Sequence, residues 1–219
     1  MKYRAIVIGA TGLTGSKLVE LLYENEQYDR VITLSRKGTR LHHRKHESHL
    51  VDLFDQRTYQ QHLKGDHLFI CTGTTQAKTP DATEYYKIEH DLPLHVSQAA
   101  LKNGISKVIA ISALGANPNS CFMYNRGKGE MERDIEKLGF KECYFVQPAL
   151  IGGYREEKRP FESAWKKFQK FIDPLLIGFL KKYRTIAPEE IAAAMIYVAT
   201  KGYPKTRIES DELIEIASF

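Results

Sequence analysis

The sequence predicts a doubly wound α/β fold, a parallel sheet with helices over both faces and a small helical region toward the carboxyl terminus. Three observations predict it. Short apolar runs alternate with longer helical patterns through most of the chain, as a sheet covered on both faces requires. The first run ends in a glycine-rich turn, "VIGATGLTG", that opens the first helix. No internal repeat or long linker divides the 219 residues, a length that a single buried core can serve.

The elements follow in order. "YRAIVIG" (3–9) is a β-branched run ended by glycine, and "SKLVELLYEN" (16–25) sets Leu18, Leu21 and Leu22 on one side of a helix. "VITLS" (31–35), "SHLVDL" (48–53) and "HLFICTG" (67–73) read as further strands. A long helical pattern covers 84–103, followed by the strand "KVIAIS" (107–112), a helix within "CFMYNRGKGEMERDIEK" (121–137) and the strand "CYFVQPAL" (143–150). Beyond Gly153, Phe161, Trp165, Phe168 and Ile172 recur at helical spacing on a basic segment, which suits a core helix, a dimer surface or the wall of a substrate pocket. "PEEIAAAMIYVAT" (188–200) begins with proline and two acids, residues that favour a helix start. The tail, "TRIESDELIEIA", reads as a short strand and then a helix from near Ser210. One domain, 1–219, is expected, with 153–185 and 205–219 forming a small substrate-side region.

Composition narrows the function. Hydrophobic residues at 42% and charged residues at 27% belong to a soluble folded chain. The net charge of +5 gathers in 35–49 and 155–171, which suits phosphate-bearing small molecules. No nucleic-acid recognition module is present, so nucleic acid is not expected as a partner. No stretch reaches the roughly 18 apolar residues of a membrane span. Cys71, Cys121 and Cys143 are widely spaced and form no paired motif, which points to a reducing compartment, with the cytoplasm as the expectation. His42, His43, His46 and His49 alternate with bases and lack an accompanying cysteine or acidic ligand set, so no metal is expected.

Gly9, Gly12 and Gly15 carry the strongest local signal. Glycines after a first strand permit a tight turn and close approach of backbone to a pyrophosphate, whose charge the free N–H groups of a helix start favour. The spacing is G-x-x-G-x-x-G. After the second strand, Arg36 and Lys37 offer positive charge where an adenosine 2′-phosphate would sit, so NADP is the expected cofactor; the bland alternative is a solvated loop. Asp52 either contacts the adenine edge or simply ends a strand. Gly73, in "CTGTTQ", falls at the same carboxyl edge of the sheet.

Tyr124 and Lys128 are four apart, so on a helix they share a face, and Ser112 closes the preceding strand. A hydroxyl to orient a carbonyl, a phenol to exchange its proton and a cation to favour the phenolate make a catalytic set. Gly127 and Gly129 are poor helix formers, and close packing of this turn on cofactor or sheet would explain them. Glu132, Arg133, Glu136 and Lys137 are expected on the solvated side of the helix.

With "GATGLTG", "SALGANPNS", Tyr124-x-x-x-Lys128 and "KGEME" together, the chain resembles the atypical short-chain dehydrogenase/reductases over nearly its full length, above all the oxidoreductases related to the Tat-interacting protein. The resemblance implies a Rossmann fold binding NADPH, with Ser112, Tyr124 and Lys128 catalytic. The expected cofactor contacts are Gly9, Thr11, Gly12, Leu13 and Gly15, then Ser35, Arg36 and Lys37, then Asp52 and Leu53, then Thr72, Gly73 and Thr74, with Lys128 and the loop residues Pro148, Leu150 and Ile151 toward the nicotinamide. A fourth polar residue, often Asn in relatives, would fall among Lys87, His90 and Asp91, and Gln147 stands where relatives can carry Arg. The expected activity is NADPH-dependent reduction of a small carbonyl or quinone-like substrate. The alternative is an NADP-binding sensor or scaffold that acts on a protein partner, and a homodimer is left open.

Overall fold

The structure is a computed structural model that describes residues 2–38, 42–149, 151, 176 and 178–218. Seven strands form one sheet: β1 (Tyr3–Ile8), β2 (Tyr28–Ser35), β3 (His46–Leu50), β4 (His67–Ile70), β5 (Lys107–Ile111), β6 (Glu142–Gln147) and β7 (Arg207–Glu209). They lie in the order β3-β2-β1-β4-β5-β6-β7, and every neighbouring pair is parallel. The chain winds outward from β1 to β3, then returns to the other side of β1 and winds the opposite way. The order therefore reverses between β1 and β4, where open α/β sheets form their binding crevice.

Alternation along the strands explains the three layers. Ala5, Val7, Val31, Phe69, Ile109, Tyr144 and Val146 face α1 (Leu13–Glu24) and two helices from the end of the chain. Ile6, Ile8, Ile32, Leu68, Val108, Ala110 and Phe145 face the opposite layer. That layer contains a short helix, α2 (Gln56–Tyr59), with the helical segment Ala82–Lys102 and α5 (Met123–Glu136). The first layer is completed by α6 (Pro188–Lys201) and α7 (Ser210–Ala217), whose Ile191, Met195, Leu213 and Ile216 are buried in it.

Within the described residues the predicted strands and helices are present with shifted ends, and β3 stops at Leu50. Val51 and Leu53 are then core residues of the following turn. The helix at 84–103 proves to be three joined pieces: α3 (Ala82–Tyr86), a π-helical turn (Lys87–Asp91) and α4 (Leu92–Lys102). The π turn has a local cause. Pro93 has no N–H to donate to the carbonyl four residues back, and the Leu92 N–H reaches the Lys87 carbonyl five residues back. The basic aromatic stretch around Phe161, Trp165 and Phe168 lies outside the described residues.

At the amino edge of the sheet, Tyr28 and the His67 imidazole are hydrogen bonded at 2.7 Å, with the Tyr3 ring tilted against His67 at 4.4 Å, so β1, β2 and β4 are tied across the reversal. Burial, with a smaller contribution from Lys107, pushes His67 down to about 4 from 6.5. The unfolded chain takes up a proton that the folded chain refuses, so this stability is complete above pH 6.5 and lost as pH falls toward 4. We expect a loss of about 3 kcal/mol across that window. Urea unfolding on either side of the window should show it, and His67→Gln, which keeps an acceptor for Tyr28, should remove most of it.

Candidate active site

At the reversal two loops meet almost without side chains. Gly9 has φ +82°, and a Cβ there would stand 2.5 Å from the Cys71 carbonyl oxygen. Gly12 donates its N–H to the Gly9 carbonyl at 3.0 Å, and a Cβ on Gly15 would overlap that same carbonyl. The first and third glycines of the motif thus pack the turn on β4 and on itself. Gly12 is the N-cap of α1, with no side-chain cap and no acid in the first turn. Its first N–H groups are available to an anion. Beyond β4, the Thr72 and Thr75 hydroxyls are buried with no hydrogen-bond partner among the described residues. These features fit a dinucleotide phosphate and ribose, since buried polar atoms ordinarily have partners.

A second cluster adjoins the first. Lys128, one turn along α5 from Tyr124, is buried and donates to the Ile111 carbonyl at 3.1 Å, at the end of β5. Its Nζ lies 2.8 Å from Glu89 Oε2, with side chains 3% and 1% exposed. The other Glu89 oxygen accepts the Thr74 N–H. Burial works against the ammonium, but Glu89, Tyr124 and Glu132 outweigh it and hold Lys128 above its ordinary pKa. Tyr124 is 40% exposed beside the more exposed Phe122, and the Ser112 hydroxyl is buried without a partner among the described residues. Cys71, pushed up to about 12 by burial, stays a thiol and not a nucleophile.

Glu89 is the residue that sequence reasoning missed. Of the three positions weighed for a fourth polar group, Lys87 is exposed, while His90 is hydrogen bonded to Asp91 at 2.8 Å and to Asp134 at 3.1 Å. The signal was present: Tyr85, Glu89, Leu92 and Val96 share one buried helical stripe, and a carboxylate on such a stripe needs a partner. Glu132, expected in solvent, is likewise buried. It accepts from Gln147 at 2.8 Å and from Arg207 at 2.7 Å, joining α5 to β6 and β7.

The other expected contacts are placed as follows. Thr11 is exposed and Leu13 half-buried at the glycine turn. Ser35 donates to the Lys37 carbonyl at 2.6 Å, and Arg36 and Lys37 are exposed. Asp52 accepts the Phe54 N–H at 2.9 Å, shaping its own turn, and Leu53 points its side chain into the core. Gly73 is exposed, and a Cβ there would lie 3.5 Å from Glu89. Pro148 is buried and its carbonyl accepts the Leu114 N–H at 3.1 Å; Ile151 bridges to Ile186; Leu150 lies outside the described residues.

The combination of a reversed parallel sheet, a glycine turn and a lysine–tyrosine helix defines an enzyme of the NAD(P)-binding Rossmann class. Comparison with known sequences makes this specific: the chain belongs to the NAD dependent epimerase/dehydratase family, whose sequence model matches residues 5–137. It is 36% identical to the mitochondrial protein fmp52 of Aspergillus fumigatus over 165 residues, 72% of this chain and 70% of that one. Two solved structures share the fold. The enzyme WbmG of Bordetella bronchiseptica in complex with NAD has a TM-score of 0.71 at 12% identity, covering 95% of this chain and 72% of that one. The UDP-N-acetylglucosamine 4-epimerase of Methanobrevibacter ruminantium M1, in complex with UDP-N-acetylmuramic acid, has a TM-score of 0.71 at 20% identity, covering 98% and 81%.

Two expectations are overturned. NADP gives way to NAD, because the family to which the chain belongs is NAD dependent. Arg36 and Lys37 are exposed, and cations on a solvated turn carry no commitment to a 2′-phosphate. The cytoplasmic expectation fails against the fmp52 relatives, which are named as mitochondrial. Cysteine usage reports redox conditions and not an address: Cys71, Cys121 and Cys143 are all free.

The two helix glycines have different reasons. A Cβ on Gly129 would overlap the backbone of Asn117 and Pro118, whereas one on Gly127 would meet only Tyr86 Cδ2 at 4.0 Å. Close approach is therefore real at Gly129, but to the loop after β5 and not to cofactor or sheet. Gly127→Ala should raise stability by up to about 1 kcal/mol, and Gly129→Ala should lower it by about 2 kcal/mol or more. Denaturant midpoints of the two variants test the contrast.

Proposed function

We propose that the chain is an NAD-dependent oxidoreductase that transfers hydride to or from a small carbonyl or quinone-like substrate, with Ser112, Tyr124 and Lys128 as its catalytic residues. The observation that carries this reading is Lys128, buried and charged at the end of β5, one turn from an exposed tyrosine and beside an unpartnered serine hydroxyl. The nicotinamide, when bound, supplies or accepts the hydride. The rest falls to the protein. Ser112 donates its hydroxyl to the substrate oxygen, and Tyr124 gives that oxygen a proton at its phenol. Lys128 keeps a positive charge near Tyr124, which favours the phenolate left behind. The first turn of α1 and Gly9, Gly12 and Gly15 would hold the pyrophosphate, and the Thr72 and Thr75 hydroxyls would offer further polar contacts to the cofactor.

The whole chain acts as one domain in this reading. The finer likeness to the Tat-interacting-protein group of atypical short-chain dehydrogenase/reductases is part of the same proposal, supported by the Tyr124-x-x-x-Lys128 spacing. The fmp52 relatives support a mitochondrial place for it. A second substrate class, nucleotide sugars, is favoured by the UDP-sugar epimerase among the fold neighbours.

Oxidation of NADH by the purified protein, followed with 9,10-phenanthrenequinone and separately with UDP-N-acetylglucosamine, compares the two classes. We expect turnover of the quinone, and Tyr124→Phe should reduce kcat by about 10²-fold or more while NADH still binds. A Tyr124→Phe enzyme as fast as wild type would remove the phenol from the mechanism.

A further inference from the structure

We propose that Glu89 is the positioning residue of this site, a single carboxylate that fixes Lys128 beneath Tyr124 and pins the loop after β4 through the Thr74 N–H. The inference rests on the reading of Tyr124 and Lys128 given above. Its geometry is independent of that reading.

Glu89 sits on the π turn, the only π-helical turn among the described residues, and its two oxygens face different elements. One meets Lys128 of α5 at 2.8 Å and the other accepts from Thr74, next to Gly73 and two residues beyond the buried, unpartnered Thr72 hydroxyl. The loop that carries Thr72 is the one against which Gly9 packs. A continuous path therefore runs from the glycine turn through the loop after β4 and Glu89 to the lysine. The ammonium has three N–H groups. One goes to the Ile111 carbonyl, and the Glu89 carboxylate stands 2.8 Å from the nitrogen as its counter-charge.

Among the described residues, no other acid forms an ion pair with Lys128. The charged and titratable groups around the pair, again among the described residues, are Tyr85 of α3, Cys71 just after β4, and Tyr124 and Glu132 of α5 itself. Glu132 is already held by Gln147 and Arg207. Glu89 is thus the counter-charge that lets a fully buried lysine stay protonated, since burial alone drives an ammonium toward its neutral form.

Variants of the full chain separate the two contacts. Glu89→Gln keeps an acceptor for Thr74 and removes the charge; Glu89→Ala removes both. NADH affinity is read by fluorescence, and the Lys128 side chain is titrated by NMR of lysine-labelled protein. In Glu89→Gln the Lys128 titration should move to lower pH than in the wild type. In Glu89→Ala NADH binding should weaken about tenfold, and in Glu89→Gln by less. A Lys128 titration unchanged by Glu89→Gln, or NADH binding unchanged by Glu89→Ala, overturns the proposal. If Glu89→Gln fails to fold, Lys128→Met is added to it. Recovery of folding supports the assignment, because the fault was then a lone buried ammonium, and continued unfolding overturns it. Neither readout needs turnover. A wild-type protein that binds NADH but reduces no carbonyl counts against the proposed reaction and leaves these outcomes standing.

Discussion

The structure around the site depends on one buried ion pair, Lys128 with Glu89. Removing charges from water carries a penalty of several kcal/mol for each ion, so such a pair persists only where the rest of the fold delivers both partners in good geometry. Here the delivery comes from three directions. The end of β5 offers the Ile111 carbonyl, α5 supplies the lysine, and the π turn supplies the carboxylate. The second buried carboxylate of the region, Glu132, holds α5 in place by gripping Gln147 of β6 and Arg207 of β7. The helix that carries Tyr124 and Lys128, with two glycines in its first two turns, is thereby anchored at two points.

The cofactor side is built on a different physical basis, the absence of side chains. Gly9 and Gly15 let carbonyls and N–H groups of successive turns approach closer than any Cβ allows. The loop after β4 serves both halves: its first residues pack on Gly9, and Thr74 is held by Glu89. The glycine turn and the buried lysine thus share a short stretch of backbone. On the far side of α5, the loop after β5 is locked on by Asn125, which donates to the Leu114 and Gly115 carbonyls, and by the Asn117 N–H to the Asn125 carbonyl. The helix start therefore lies between two fixed loops.

Much of the architecture was legible because each strand carries its own signature. Ile6 and Val7, or Phe69 and Ile70, serve opposite faces, so a run apolar at every position means a strand buried twice. The glycine turn was legible because only glycine satisfies its geometry. What escaped were residues whose meaning lies in a distant partner. Glu89 and Glu132 read as ordinary helix acids until the fold brings Lys128, Gln147 and Arg207 to them. Poor helix propensity at Gly127 and Gly129 gave one signal for two situations, because propensity records a local penalty and not what stands opposite. Arg36 and Lys37 misled for the converse reason: a charge beside an expected ligand is weak information when the side chain is free to stay in water.

The π turn has a consequence for how this site can change over time. A helix that fits one extra residue into a turn can lose it and return to regular α-helical winding, with rotation of about 100° for everything on one side of the deletion. A single codon lost between Lys87 and Asp91 would swing Glu89 off the lysine while leaving Ser112, Tyr124, Lys128 and the three glycines of the first turn untouched. A descendant of this chain could keep every residue of its recognisable motifs and yet have lost the buried contact that joins them.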